Sequence, residues 1–152
     1  MQQDSIDPTR HHLFALSALQ TLDVSNNHIH TLPPLILHMS NLKALNASNN
    51  QLVCIPLEIG GSGLPDLEEL NVNDNFLTAI PPELGIMPKL KVLKVRNNRI
   101  RVFPAGVLDC KTSVLTWIDV QGNPCERMLP DVSGYEEYAA RRKGRIDQFL
   151  KT

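Results

Sequence analysis

The sequence predicts an α/β solenoid, a right-handed horseshoe with a parallel sheet of about five strands on its concave face, short 3₁₀ or extended returns on its convex face and a C-terminal capping helix. Three observations carry that expectation. Asn recurs at positions 27, 50, 75, 98 and 123, in steps of 23, 25, 23 and 25 residues. Each of these Asn holds the same place in a frame of apolar residues, L-x-x-L-x-L-x-x-N-x-L. After four of the five frames comes a Pro-bearing segment, as in Leu32-Pro33-Pro34-Leu35 and Ile80-Pro81-Pro82-Glu83-Leu84. Self-similarity at such a period marks a stack of small units, each burying its apolar side against its neighbours.

The frame is filled by Leu19-Leu22-Val24-Asn27-Ile29, Leu42-Leu45-Ala47-Asn50-Leu52, Leu67-Leu70-Val72-Asn75-Leu77, Leu90-Leu93-Val95-Asn98-Ile100 and Leu115-Ile118-Val120-Asn123-Cys125, with Ala47 and Cys125 its weakest fits. Its L-x-L centre reads as a short strand whose alternate residues point inward. The Asn turns the chain out of the strand. Its amide both donates and accepts, so it satisfies backbone groups buried at the turn, each Asn stacking on the next as a ladder. Pro fixes φ and removes an amide donor, which makes the returns extended or 3₁₀ rather than long helices. The two longer repeats place their extra residues on that outer side, one of them as Gly60-Gly61-Ser62-Gly63.

Both ends of such a stack need covers. Leu13, Leu16 and Leu19 read as the outer half of a preceding repeat, behind a lead of residues 1–15. His11-His12, being adjacent, point apart on any regular element and make a poor metal pair. Pro130 to Gly134 breaks the repeat, and Tyr135 to Leu150 reads as a helix, with Ser133 and Glu136 in capping-box spacing. Glu136 and Glu137 in its first turn and Arg141, Arg142, Lys143 and Arg145 further along suit the helix dipole. Tyr138, the Arg142 stem, Ile146 and Phe149 form one stripe, expected to dock on the edge of the fifth repeat. The basic run reads as the solvated face of that cap. One domain results: lead 1–15, repeats 16–128 and cap 129–152.

Composition narrows the function. Lys plus Arg total 15 against 16 Asp plus Glu, a formal charge of −1, which excludes a protein built to neutralise phosphates. Aromatics are 5 % against 42 % hydrophobic residues, so the core is aliphatic. Three Cys, at 54, 110 and 125, are an odd number and too few for a disulfide scaffold. No apolar run is long enough to span a bilayer, residues 1–12 lack the apolar segment of a secretory signal, and Gln2 stands where myristoylation needs Gly. A cytoplasmic monomer is expected. No P-loop, dinucleotide Gly motif, G-x-S-x-G, H-E-x-x-H or C-x-x-C occurs, Cys125 fills an apolar slot, and His28 and His30 flank a buried Ile29. These point to no enzyme, no cofactor, no bound metal and no nucleic acid.

The frames, with their L-P-x-x-L returns, resemble the intracellular Ras-group family of leucine-rich repeat proteins, over about residues 16–125. Ile118-Asp-Val-Gln-Gly122-Asn123, followed by Gly134-Tyr135-Glu-Glu-Tyr138 and a basic helix, resembles one member of that family more narrowly. The chain is shorter than that member and lacks its Met-Gly lipidation start, so membrane anchoring is not carried over. The resemblance implies protein–protein scaffolding without catalysis.

Between the inward positions, the outward residues fall into columns: Thr21, Ala44, Glu69, Val92 and Trp117; Asp23, Asn46, Asn71, Lys94 and Asp119; Ser25, Ser48, Asn73, Arg96 and Gln121; and Asn26, Asn49, Asp74, Asn97 and Gly122. Trp and Arg are the side chains most often found anchoring interfaces. The expected contact set for a protein partner is therefore Glu69, Asn71, Asn73, Lys94, Arg96, Trp117 and Asp119, centred on Trp117. The competing expectation packs Trp117 under the C-terminal helix as part of the cap. Arg96, Arg99 and Arg101 with Glu69, Asp74 and Asp119 read either as cross-strand ion pairs or as a patch for an acidic segment. Two functions follow: an interaction module using its concave face, or an adaptor acting in trans on a phosphatase or small GTPase.

Overall fold

A computed structural model of the chain describes residues 17–61, 63–109 and 111–151. The N-terminal lead, His11, His12, Leu13, Leu16, Ser62 and Cys110 lie outside the described residues. Five strands, β1 (Thr21–Asp23), β2 (Ala44–Asn46), β3 (Glu69–Asn71), β4 (Val92–Lys94) and β5 (Trp117–Asp119), pair in chain order. All pairs are parallel and in one register, with Leu22, Leu45, Leu70, Leu93 and Ile118 opposite one another. Each strand is only three residues long, centred on the first inward residue of the expected L-x-L and ending one residue before the second.

From the second repeat onward every apolar frame position is 6 % exposed or less, Ala47 and Cys125 included. In the first repeat Leu19, Leu22, Val24 and Ile29 are only partly buried and Asn27 is exposed. Among the described residues nothing stacks on the outer side of β1. Each return makes a short 3₁₀ turn, at Pro34–His38, Leu57–Ile59, Pro82–Ile86, Ala105–Val107 and Glu126–Asp131. Each also buries an apolar pair four residues apart: Leu32 with Ile36, Ile55 with Ile59, Ile80 with Leu84, Phe103 with Val107, and Cys125 with Leu129. In the first return, then, Ile36 points inward and Leu35 is 47 % exposed, one position later than Leu32-Pro33-Pro34-Leu35 suggests. The third and fourth turns touch so closely that a Cβ on Gly85 would collide with the Gly106 carbonyl.

The frame Asn residues do what the chemistry demands. Asn75 donates from Nδ2 to the carbonyls of Val72 (3.1 Å) and Asn73 (3.0 Å) in its own repeat and of Ala47 (3.0 Å) in the repeat before, while its Oδ1 accepts the Leu52 N–H at 2.9 Å. Asn50 and Asn98 repeat that pattern, and Asn123 makes the same cross-repeat contacts to Val95 and Ile100. The ladder is thus bound through backbone, each amide clamping two successive coils. Asn27 reaches only Val24 and Ser25 of its own coil.

The C-terminal helix α1 runs over Tyr135–Phe149. It does not start with the expected box. Its N-cap is Gly134 at φ +88°, with no side-chain cap bond from Ser133 or Glu136. The cause is tertiary: a Cβ at Gly134 would press on the Leu108 backbone, so the close approach there fixes the left-handed residue and sets the helix start.

Replacing Asn75 by Ala orphans the buried Leu52 N–H and removes one of two donors from the Ala47, Val72 and Asn73 carbonyls, and is expected to cost about 1–3 kcal/mol. Asn27→Ala, at the exposed rung, should cost less than about 1 kcal/mol. Urea unfolding of the two variants against wild type measures the difference, and equal losses would contradict the cross-repeat clamp.

Candidate functional site

The outward residues of the five strands form a continuous surface, and its second column is occupied with turning the chain. Asp23, Asn46, Asn71 and Asp119 each accept, through Oδ1, the N–H of the residue two further on, at 2.8, 3.2, 3.1 and 3.2 Å. This is the local bond for which Asn and Asp are favoured at turns. Lys94 has no acceptor, and there the Arg96 N–H turns instead to Oδ1 of Asn73 in the preceding repeat, at 2.7 Å. Asn71, Asn73 and Asp119 of the expected contact set therefore also serve the scaffold. So does the fourth column. Asn26, Asn49, Asp74 and Asn97 sit at φ between +51° and +56°, and Gly122 at +73°. Asn, Asp and Gly are the residues that tolerate this left-handed conformation. Residue type along that column was the signal, although spacing alone presents it only as surface.

Lys94 instead pairs with Glu69 at 2.6 Å. Two more exposed pairs, Lys91–Glu68 at 2.8 Å and Lys89–Asp66 at 2.7 Å, join the same two repeats at the strand entry. Hydrogen bonding and charge from Lys91 hold the Glu68 carboxyl below its usual range, and Asp66 raises Lys89 in the same way. Exposed pairs of this kind contribute little each. The other expected ion pairs do not form among the described residues. Asp74 accepts from Asn97 Nδ2 at 2.8 Å and Asp119 from the Gln121 N–H, while Arg99 stacks on Phe76 at 4.4 Å. Arg96 is exposed and donates to the Gln121 side chain.

Helix α1 closes the β5 end. The Tyr138 ring is buried, and its hydroxyl oxygen accepts the Ile118 N–H at 2.9 Å, capping an edge donor that has no further strand to meet. Arg141 Nε donates to the Leu115 carbonyl at 3.1 Å and Arg145 to the Thr116 hydroxyl at 2.8 Å. The Arg142 guanidinium lies 4.5 Å from the Trp117 ring centre, a cation–π stack. Trp117 remains 37 % exposed, so it both supports the cap and faces solvent. The expected stripe docks only in its first half. Ile146 is 43 % and Phe149 80 % exposed, because the helix runs on past the edge it covers.

That overhang makes a cleft of about 410 Å³ on the sheet face, with Val92 and Trp117 on one side, Ile146, Phe149 and Leu150 on the other, and Glu69, Lys94, Arg142 and Arg145 at its rim. A second, polar trough of about 450 Å³ runs across β1 to β3, past Asp23, Ala44, Asn46 and Asn71, and shares Glu69 and Lys94 with the first. Arg142, Arg145, Ile146 and Phe149 were not in the expected contact set. The sequence carried their signal as apolar residues continuing beyond the part of the helix needed for a cap. Elsewhere His28 and His30 are exposed, Cys54 is exposed, and Cys125 is buried with its thiol pushed up by desolvation. Among the described residues no group of three His, Cys, Asp or Glu side chains is placed to hold a metal. None of their helices is long and apolar enough to cross a membrane.

Family models agree with this geometry. A leucine rich repeat model matches residues 65–124, and a model of two leucine rich repeat copies matches residues 17–61 and again 40–84. The chain belongs to the leucine-rich repeat family. Leucine-rich repeat domains generally act as protein-interaction modules. Among solved structures, the crystal structure of PEPR1–AtPEP1 is 33 % identical over 70 % of this leucine-rich repeat chain, with a TM-score of 0.60. A leucine-rich repeat protein of Leptospira interrogans is 26 % identical over 75 % of it, with a TM-score of 0.57. The chain spans 15 % of the length of the first and 34 % of the second. No match is found among curated proteins.

Burial raises the Tyr138 phenol above its ordinary value near 10, so the folded state favours the neutral ring. The stability this contributes is fully present below pH 10 and is lost as pH rises through the shifted value. Tyr138→Phe should cost about 1–3 kcal/mol at neutral pH by orphaning the Ile118 N–H. The variant should also lack the phenol's share of the alkaline loss. Unfolding curves between neutral and strongly alkaline pH test both effects, and identical alkaline slopes would contradict the burial of the neutral phenol.

Proposed function

We propose that the chain is a non-enzymatic protein-interaction module that holds a protein partner on the concave face, with Glu69, Asn71, Asn73, Lys94, Arg96, Trp117 and Asp119 as its contact set. The observation that carries this reading is the setting of Trp117. The sole Trp of the chain stands 37 % exposed on a sheet strand, beside an apolar cleft with a charged rim. Interface hot spots have this anatomy, an aromatic anchor with a polar surround. The three Cys, an odd and small number, suit a reducing compartment such as the cytoplasm, where the chain would work as a monomer. The narrower likeness of residues 110–145 to the end of leucine-rich repeat-containing protein 57 supports an intracellular member of the family. That relationship also motivates the second reading, an adaptor acting in trans on a phosphatase or small GTPase.

Affinity capture from cell extract, with wild type against Trp117→Ala and Arg96→Glu, tests the concave face. Hot-spot truncation typically costs about 2 kcal/mol or more, so recovery of the wild-type partners should fall at least about tenfold. Unchanged recovery in both variants moves the partner to another face. A Trp117-dependent set dominated by phosphatases or small GTPases selects the adaptor reading.

A further inference from the structure

Resting on the concave-face reading, we infer that the cleft between β5 and α1 takes an extended acidic segment of the partner, one apolar side chain seated against Trp117 with Asp or Glu beside it. The apolar walls, Val92 and Trp117 facing Ile146 and Leu150, suit an aliphatic or aromatic side chain. The rim supplies the sign. Lys94 is neutralised by Glu69, whereas Arg142 and Arg145 have no carboxylate in ion-pair range among the described residues. Arg142 Nε is moreover buried without an acceptor. That atom is out of a ligand's reach, but at the rim an arriving carboxylate gives the Arg142 and Arg145 guanidiniums an ionic partner.

The shape selects an extended chain. The apolar cleft and the polar trough lie side by side, sharing Glu69 and Lys94 as lining. An extended chain that crosses from one to the other passes Asn71, whose oxygen is engaged in its turn and whose amide nitrogen would donate to a peptide carbonyl. A bilayer is flat and has no counterpart to a cleft floored by strands and walled on one side by a helix.

The test is selection of random twelve-residue peptides on the whole chain. Titration of synthetic versions then follows the emission of Trp117, which is the only Trp and lines the cleft. Selected peptides should share one large apolar residue flanked by Asp or Glu, shift that emission, and bind more weakly as salt rises. Arg145→Glu, on an exposed side chain, should weaken them at least about tenfold, and Arg127→Glu, exposed outside the cleft, should not. Neutral or basic peptides, acidic peptides indifferent to Arg145→Glu, or preferential binding to phosphatidylserine vesicles would each overturn the inference. So would self-association through the cleft in sedimentation. If any of these occurs while Trp117→Ala still abolishes capture of whole partners, only the acidic segment is lost. Unchanged capture removes the concave-face reading with it.

Discussion

One amide per coil holds this molecule together. Strands of three residues offer too few ladder bonds to stand alone, and the turn that follows each would bury carbonyls and N–H groups with no partner. The frame Asn resolves both difficulties, because a single planar group donates to carbonyls of two successive coils and accepts an N–H from the earlier one. Everything outward depends on it. The clamp fixes the register of the strands, the register aligns the outward columns, and the columns place Trp117, Val92 and Glu69 on one line across the sheet.

The face so produced has two halves of different character. Toward β1 it is lined by amides and small polar groups, several of them already engaged in turning the chain. Toward β5 it carries an aromatic ring, aliphatic walls and arginines, because α1 seals the edge with Tyr138 and then projects beyond it. The cap that protects the last coil is therefore also one wall of the cleft.

Much of this was legible from residue order. Recurrence of the frame gave the strands and their burial, Pro gave the character of the returns, and the sign change along residues 135–150 gave the helix. What escaped depended on approach between segments distant in sequence. Ser133 and Glu136 have capping-box spacing, but contact of Gly134 with Leu108 decides how the helix begins. Tyr138 and Phe149 share a stripe, but Tyr138 is buried against the Ile118 N–H while Phe149 stands 80 % exposed. The stripe placed Arg142 at the fifth-repeat edge, and one expectation put Trp117 under the helix. The stack between them that leaves Trp117 partly exposed, and the overhang that opens the cleft, depend on how far the helix runs past the edge.

Lys94 breaks the column of turn acceptors, and the coil it belongs to completes its bend with an oxygen from Asn73 of the coil before. The fourth bend has no closure of its own and takes it from the coil before, while the Leu77 N–H of the third coil takes its acceptor from Asn98 of the fourth, so the two coils close each other. A change at Asn73, one coil away, would therefore loosen the strand that bears Lys94.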